Sequence, residues 1–183
     1  MTTSEAYLKD ILRTYRNYQV LGEKGIAQVR DDSALHTQID PDSNSIAVIV
    51  KHVAGNLRSR FTDFLTTDGE KPTRNRDTEF EMPARASRAE ILAWWSDGFR
   101  VVSEAIGGLA PADLERVVRI RGEEFLVVEA INRSATHTAY HVGQIVYVAR
   151  HLASGQWTSL SIPRGKSPEA MVGDFKSRGL GRT

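Results

Sequence analysis

The chain reads as an all-α four-helix bundle, with a short hairpin expected before the last helix. Apolar residues recur at three- and four-residue intervals in four long segments. Clusters of Asp, Ser, Gly and Pro separate those segments. At 183 residues, 40% hydrophobic and 26% charged, the chain has the size and composition of one soluble domain with its own core.

The first helix is expected over about residues 3–30, where Leu8, Ile11, Leu12, Tyr15, Gln19, Gly22, Ile26 and Val29 fall on one side. DDSALHTQIDPDSNS follows as a loop, and Ser43, Asn44 or Ser45 can cap the second helix. That helix carries Ile46, Ile49, Val50, Val53, Leu57, Phe61 and Phe64 inward and stops near TTDGEKP, where Gly69 and Pro72 break it. The next stretch, about residues 71–85, is polar and long for a bundle connection, which points to function. Ser87 and Glu90 form a capping box for the third helix, whose inner stripe is Ile91, Trp95, Phe99, Val102, Ile106 and Leu109, ending near Gly107 and Gly108. Trp94 points about 100° away from Trp95, toward a dimer contact or the tail.

ERVVRIRGEEFLV interrupts the helical rhythm. Residues 117–120 suit a short strand turned at Arg121-Gly122. The last helix is expected over about residues 127–152, with Ala130, Ser134, His137, His141, Ile145, Val148 and Leu152 on one face and Gly155 as its stop. The bundle thus spans residues 1–160. A basic tail, 161–183, follows and is expected to dock in part; Trp157, Leu160 and Ile162 suit such docking, and the end beyond about Gly179 is expected to be loose. Gly165-Lys166-Ser167 is not the end of a P-loop, because Leu160 stands where that motif needs glycine.

Several functions are disfavoured from composition. A net charge of +1 provides no field to steer the chain to nucleic acid or an anionic membrane. The absence of cysteine excludes disulfides, thiolate zinc sites and a cysteine nucleophile. The first residues lack the apolar core of a signal peptide, and no apolar run approaches the roughly 20 residues of a membrane span. The expectation is a cytoplasmic protein without nucleic-acid or membrane partners.

Five histidines occur: His36, His52, His137, His141 and His151. His137 and His141 stand one turn apart, so both rings lie on the same side of the last helix. Such a pair can converge on one cation at about 2.0–2.1 Å. His52, at the flank of the second helix's apolar stripe, is the best third ligand. Three imidazoles leave at least one position open, as in catalytic sites, and Zn, Ni and Fe all suit them. HTAYH has no Glu after its first His, so it is not a zincin motif. The competing reading makes these histidines ordinary hydrogen-bonded core residues.

His52 on the second helix, with Asn56 one turn on, and His137-x-x-x-His141-x-Gly143-Gln144 on the last resemble the DinB/YfiT-like superfamily. IVYVARHLASGQW resembles the usual end of its fourth helix. HVAGNLRSRFTDFLTTDGEKPTRNRDTEF and SLSIPRGKS resemble an uncharacterised bacterial subgroup. The likeness covers roughly residues 5–160. It implies an up-down-down-up bundle and a metal triad of His52, His137 and His141. It also implies, for some members, thiol-dependent transferase or isomerase activity that uses low-molecular-weight thiols such as bacillithiol or mycothiol. The expected function is a divalent-metal-dependent thiol S-transferase or related hydrolase acting on a small molecule, and the chain is expected to be a homodimer. The alternatives are a non-catalytic metal-binding or stress-response protein and a dimeric interaction scaffold.

Asn56, Tyr140 and Gln144 are placed to touch the bound group or to orient its ligands. Arg58, Arg60, Arg74 and Arg76, with Arg164 and Lys166, read first as solvated charge balanced by Asp63, Asp77, Glu79 and Glu81. The other reading is an anion-binding rim beside the metal.

Overall fold

The computed structural model describes residues 1–82, 84–153 and 155–169, and their long helices are the four expected. Helix α1 spans Thr3–Ala27, α2 Ile46–Phe61, α3 Arg88–Gly107 and α4 Val127–Leu152. Their starts are set by local chemistry. Thr2 and Glu5 close a capping box on α1, Ser45 accepts from the Val48 N–H on α2, and Ser87 and Glu90 close a second box on α3. On α4 the Glu129 carboxylate accepts from the Leu126 N–H.

The helices form a ring in the order α1, α3, α2, α4. Tyr7 on α1 donates to Asn132 on α4 at 2.8 Å, and Gly25 stands against Val146, so α1 and α4 run parallel. Arg88 bonds the Ile26 and Val29 carbonyls while the Tyr15 ring meets Phe99, so α3 runs against α1. His52 meets His137 while Arg60 shares a small cavity with Ala130, so α2 runs against α4. The connectivity is up-down-down-up. Because α2 and α3 are parallel neighbours, residues 62–87 must return along the bundle, roughly 24 Å for a 16-residue helix. The long polar connection is therefore required by topology. The core lies between the helices around Trp95, Ile26, Ile46, Leu57, Ile91, Ile131 and Ile145, all fully buried.

Two helix ends fall short of the periodic pattern. Helix α2 stops at Phe61, because Asp63 turns left-handed (φ +48°) and its carbonyl accepts from Thr66 and Thr67. Phe64 still packs into the core, 5.0 Å from the Phe61 ring. Helix α1 stops at Ala27, yet Val29 remains buried. Apolar periodicity marks burial, and burial continues past the last helical turn.

Strands β1 (Val117–Ile120) and β2 (Glu123–Leu126) pair antiparallel, Val117 opposite Leu126 and Ile120 opposite Glu123. The turn residues Arg121 and Gly122 both have positive φ, as a two-residue hairpin of this hand requires. Arginine is disfavoured there. The Asp68 carboxylate compensates by accepting both turn N–H groups at 2.8 Å.

Past α4, Gln28 and Thr158 exchange two hydrogen bonds and Trp157 packs on the core. Trp94, half-buried, also rests on the core. Gly155, with φ +82°, follows the Ala153 cap. The last part of the tail, residues 170–183, lies outside the described residues. No described helix is long and apolar enough to cross a membrane.

Candidate metal centre

The three ligands come from two antiparallel helices. His52 sits on the buried side of α2, between the fully buried Val50 and Val53. His137 and His141 lie one turn apart on the face of α4 turned toward α2. Their Nε2 atoms converge: His137 to His52 is 3.3 Å, and His137 to His141 is 3.2 Å. Two ligands held about 2.05 Å from a tetrahedral centre stand about 3.3–3.4 Å apart. The two separations from His137 fit that edge, and the three side chains, with ligand atoms all within 4.8 Å of one another, are a cluster able to hold a divalent ion.

The outer nitrogens decide which tautomers are present. His52 Nδ1–H donates to Glu79 Oε2 at 2.8 Å, and His141 Nδ1–H donates to Gln144 Oε1 at 2.7 Å. Both bonds leave Nε2 as a bare lone pair aimed at the common point. Two convergent lone pairs repel unless a cation or a proton lies between them. His137 Nδ1 is buried without a hydrogen-bond partner among the described residues. Burial, followed by the neighbouring His141 and His52 rings, pushes the His137 pKa down to about 4, and burial also lowers that of His141. Both are therefore neutral near pH 7, the form that binds metal.

Glu79 is anchored in turn. It lies on a 3-10 turn, Asp77–Phe80, within the long connection, and is 7% exposed. Arg74 grips its two oxygens through Nε and Nη2, each at 2.8 Å. Burial opposes ionisation of Glu79, but the bonds from His52 and Arg74 and the charge of Arg74 outweigh it and hold the carboxyl below its ordinary range. The approach needs Gly55: a Cβ there would lie 2.8 Å from Glu79 Cδ and nearer still to Oε1. Phe80 stacks on the His52 ring at 4.7 Å.

The other expected site residues are distributed unevenly. Asn56 is buried and lines a cleft with His52 and His137. Gln144 orients His141. Tyr140 is 65% exposed, with its ring 5.0 Å from His141 and turned edge-on to it. His36 bonds the Ala86 carbonyl and His151 is exposed, so neither joins the cluster.

Two of the arginines read as solvated surface are not. The Arg60 and Arg74 side chains are only 12% and 6% exposed. They lie inward because the buried Glu79 and the partly buried Glu70 offer carboxylates there, and a charge run in sequence cannot show that pairing. Glu79 was legible only as charge balance. The signal that could have found it is Gly55, a glycine inside an otherwise apolar helix, which marks a close approach. Arg121 and Arg133, which also line the cleft, carried no signal of their own.

A family described as "Protein of unknown function (DUF1572)" matches residues 2–166. The chain belongs to that family, in keeping with the DinB/YfiT-like superfamily its motifs resemble. No curated protein matches the chain.

Proposed function

We propose that this DUF1572 chain is a divalent-metal-dependent enzyme that transfers a small thiol to an electrophile. The supporting observation is that the His137 Nε2 lies 3.2–3.3 Å from the Nε2 atoms of both His141 and His52, all three ligand atoms falling within 4.8 Å of one another, and that partners fix the outer nitrogens of His52 and His141. A divalent cation there supplies charge that lowers the pKa of a thiol or water brought to it. The protein's own part is to hold three neutral rings in one orientation. Glu79 and Gln144 keep protons on the outer nitrogens of His52 and His141. Arg74 keeps Glu79 from turning away.

A thiol suits this site better than water. No carboxylate lines the cleft among the described residues, and Glu79 is engaged on both oxygens. Hydrolysis needs a group to manage protons. A thiol, with an ordinary pKa near 8.5, needs only a modest shift to become the nucleophilic thiolate near pH 7.

The test begins with metal content of protein purified without a nickel column, for wild type and His137→Ala/His141→Ala. About one equivalent in wild type and none in the variant is expected. A screen of small thiols against a chromogenic aryl halide should then show turnover that the variant lacks. If neither protein holds metal after incubation with Zn, Ni, Fe and Mn salts, the reading is wrong and the histidines are core residues. Metal without turnover would leave the non-catalytic metal-binding protein.

A further inference from the structure

Beside the histidines lies a cleft of about 430 Å³, with His52, Asn56 and His137 in its wall. That volume is in the range of small-molecule sites. The rest of its wall is unusual in charge: Arg60, Arg74, Arg76, Arg121 and Arg133 all line it. They come from α2, the long connection, the hairpin turn and α4, so the tertiary fold gathers them.

Carboxylates behind the wall neutralise part of this charge. Glu70 pairs with Arg60 at 3.1 Å, Arg74 at 3.2 Å and Arg121 at 2.9 Å, and Glu79 takes Arg74. Glu70, Glu79, Asp77 and the Asp68 carboxylate at the hairpin turn offset four of the five guanidiniums, so the wall keeps a net positive charge, and Arg133 has no carboxylate partner among the described residues. Arg76 has its nearest carboxylate, Asp77, at 3.9 Å on a side chain that is 92% exposed. Arg76 and Arg133 instead rest on the rings of Phe80 and Phe125, at 4.9 and 5.8 Å. A guanidinium lying on an aromatic face is held in place while its N–H groups stay free to bind.

We propose that this cleft is the substrate's anion subsite, and that the enzyme acts on a metabolite-sized molecule bearing a phosphate or carboxylate group. The inference rests on the metal-centre reading for where the reacting atom lies. Arginine forks match the paired oxygens of both anions, and a wall of net positive charge favours either. The anionic group binds among Arg76, Arg121 and Arg133, and the reacting group reaches the histidines that share the cleft wall. Arg74 has a second duty, because its grip on Glu79 links the anion subsite to the His52 ring. A charged substrate group arriving near Arg74 thus meets the same network that orients a metal ligand.

The test uses inorganic phosphate and sulfate as probes, at constant ionic strength with chloride as the control. Thermal shift and calorimetry are run on wild type, Arg76→Gln/Arg133→Gln and His137→Ala/His141→Ala, each stripped with a chelator. The arginine pair is chosen because neither residue touches Glu79, so metal content of that variant should equal wild type. Saturable binding by wild type and by the histidine variant is expected, weakened about tenfold or more in the arginine variant. Equal binding by the arginine variant, or no saturable binding by wild type at millimolar phosphate and sulfate, overturns the proposal. A wild type that holds no metal before stripping and takes none up afterwards, with anion binding intact, would overturn the metal reading while supporting the anion subsite. If phosphate binds and sulfate does not, the anion's proton is part of the recognition, and phosphate esters become the substrates to screen. If sulfate binds as well, the subsite reads negative charge alone, and acetate and succinate as further probes decide whether carboxylates join the screen.

Discussion

Replacing Gly55 with alanine tests the link between a helix residue and the metal centre. By helix propensity alone the change should stabilise α2 by up to about 1 kcal/mol. The structure predicts the opposite. The new Cβ would stand 2.8 Å from Glu79 Cδ, against an ordinary contact of about 3.4 Å or more, and closer still to Oε1. The carboxylate has to move by the best part of 1 Å. A free glutamate would do so at little cost. This one is held at 2.8 Å by His52 and twice at 2.8 Å by Arg74, so at least one charge-assisted bond breaks, at about 1.5–3 kcal/mol. After the helix gain, the variant should be destabilised by roughly 0.5–2 kcal/mol. Its metal affinity should fall about 10–100-fold, because His52 loses its orienting partner. Urea unfolding of the stripped protein gives the first figure, and competition against a chromophoric chelator gives the second. A variant that binds metal within twofold of wild type and is more stable would refute the argument.

Other outcomes follow from the same network. Glu79→Gln keeps an acceptor for His52 but removes the charge that Arg74 grips, so metal affinity should drop about tenfold or more by chelator competition. In the stripped protein, His137 has a pKa of about 4 against an ordinary 6.5. The depressed value means the unfolded chain takes up the proton first, so the contribution is complete above pH 6.5 and is lost as pH falls toward 4. That loss should be about 2–3 kcal/mol, and urea midpoints of His137→Ala should be flatter across that window. Gly22→Ala would push a Cβ to 2.5 Å from Trp95 Cζ2, and the fully buried indole cannot yield. Overpacking of this kind should cost about 1–3 kcal/mol in thermal unfolding, with metal binding per folded molecule unchanged.

Much of the bundle was legible because its determinants are local. The Ser87–Glu90 capping box, the 3.6-residue stripe through Ile91, Trp95 and Phe99, and the Arg121-Gly122 turn each act within a few residues. The histidine pair was legible for the same reason, since an i, i+4 spacing fixes two rings on one helix face. His52 was reachable from its place beside an apolar stripe, together with the motif likeness. The end of α2 was misplaced by periodicity, because Phe64 continues the burial pattern after Asp63 has left the helix.

The sequence by itself determined four amphipathic helices, a hairpin and three imidazoles on inward faces, all consequences of short-range spacing and of which residues avoid water. Only the tertiary structure decided that the His137 Nε2 stands 3.2–3.3 Å from those of His52 and His141 and that Glu79, 27 residues from His52, closes the carboxylate–histidine pair. It also decided that five arginines from four segments face one cleft. The physical reason is that a charge's role depends on its burial and partner. Parallel packing of α2 and α3 sends the connection back across the bundle, and that path brings Arg74 and Glu79 to the site.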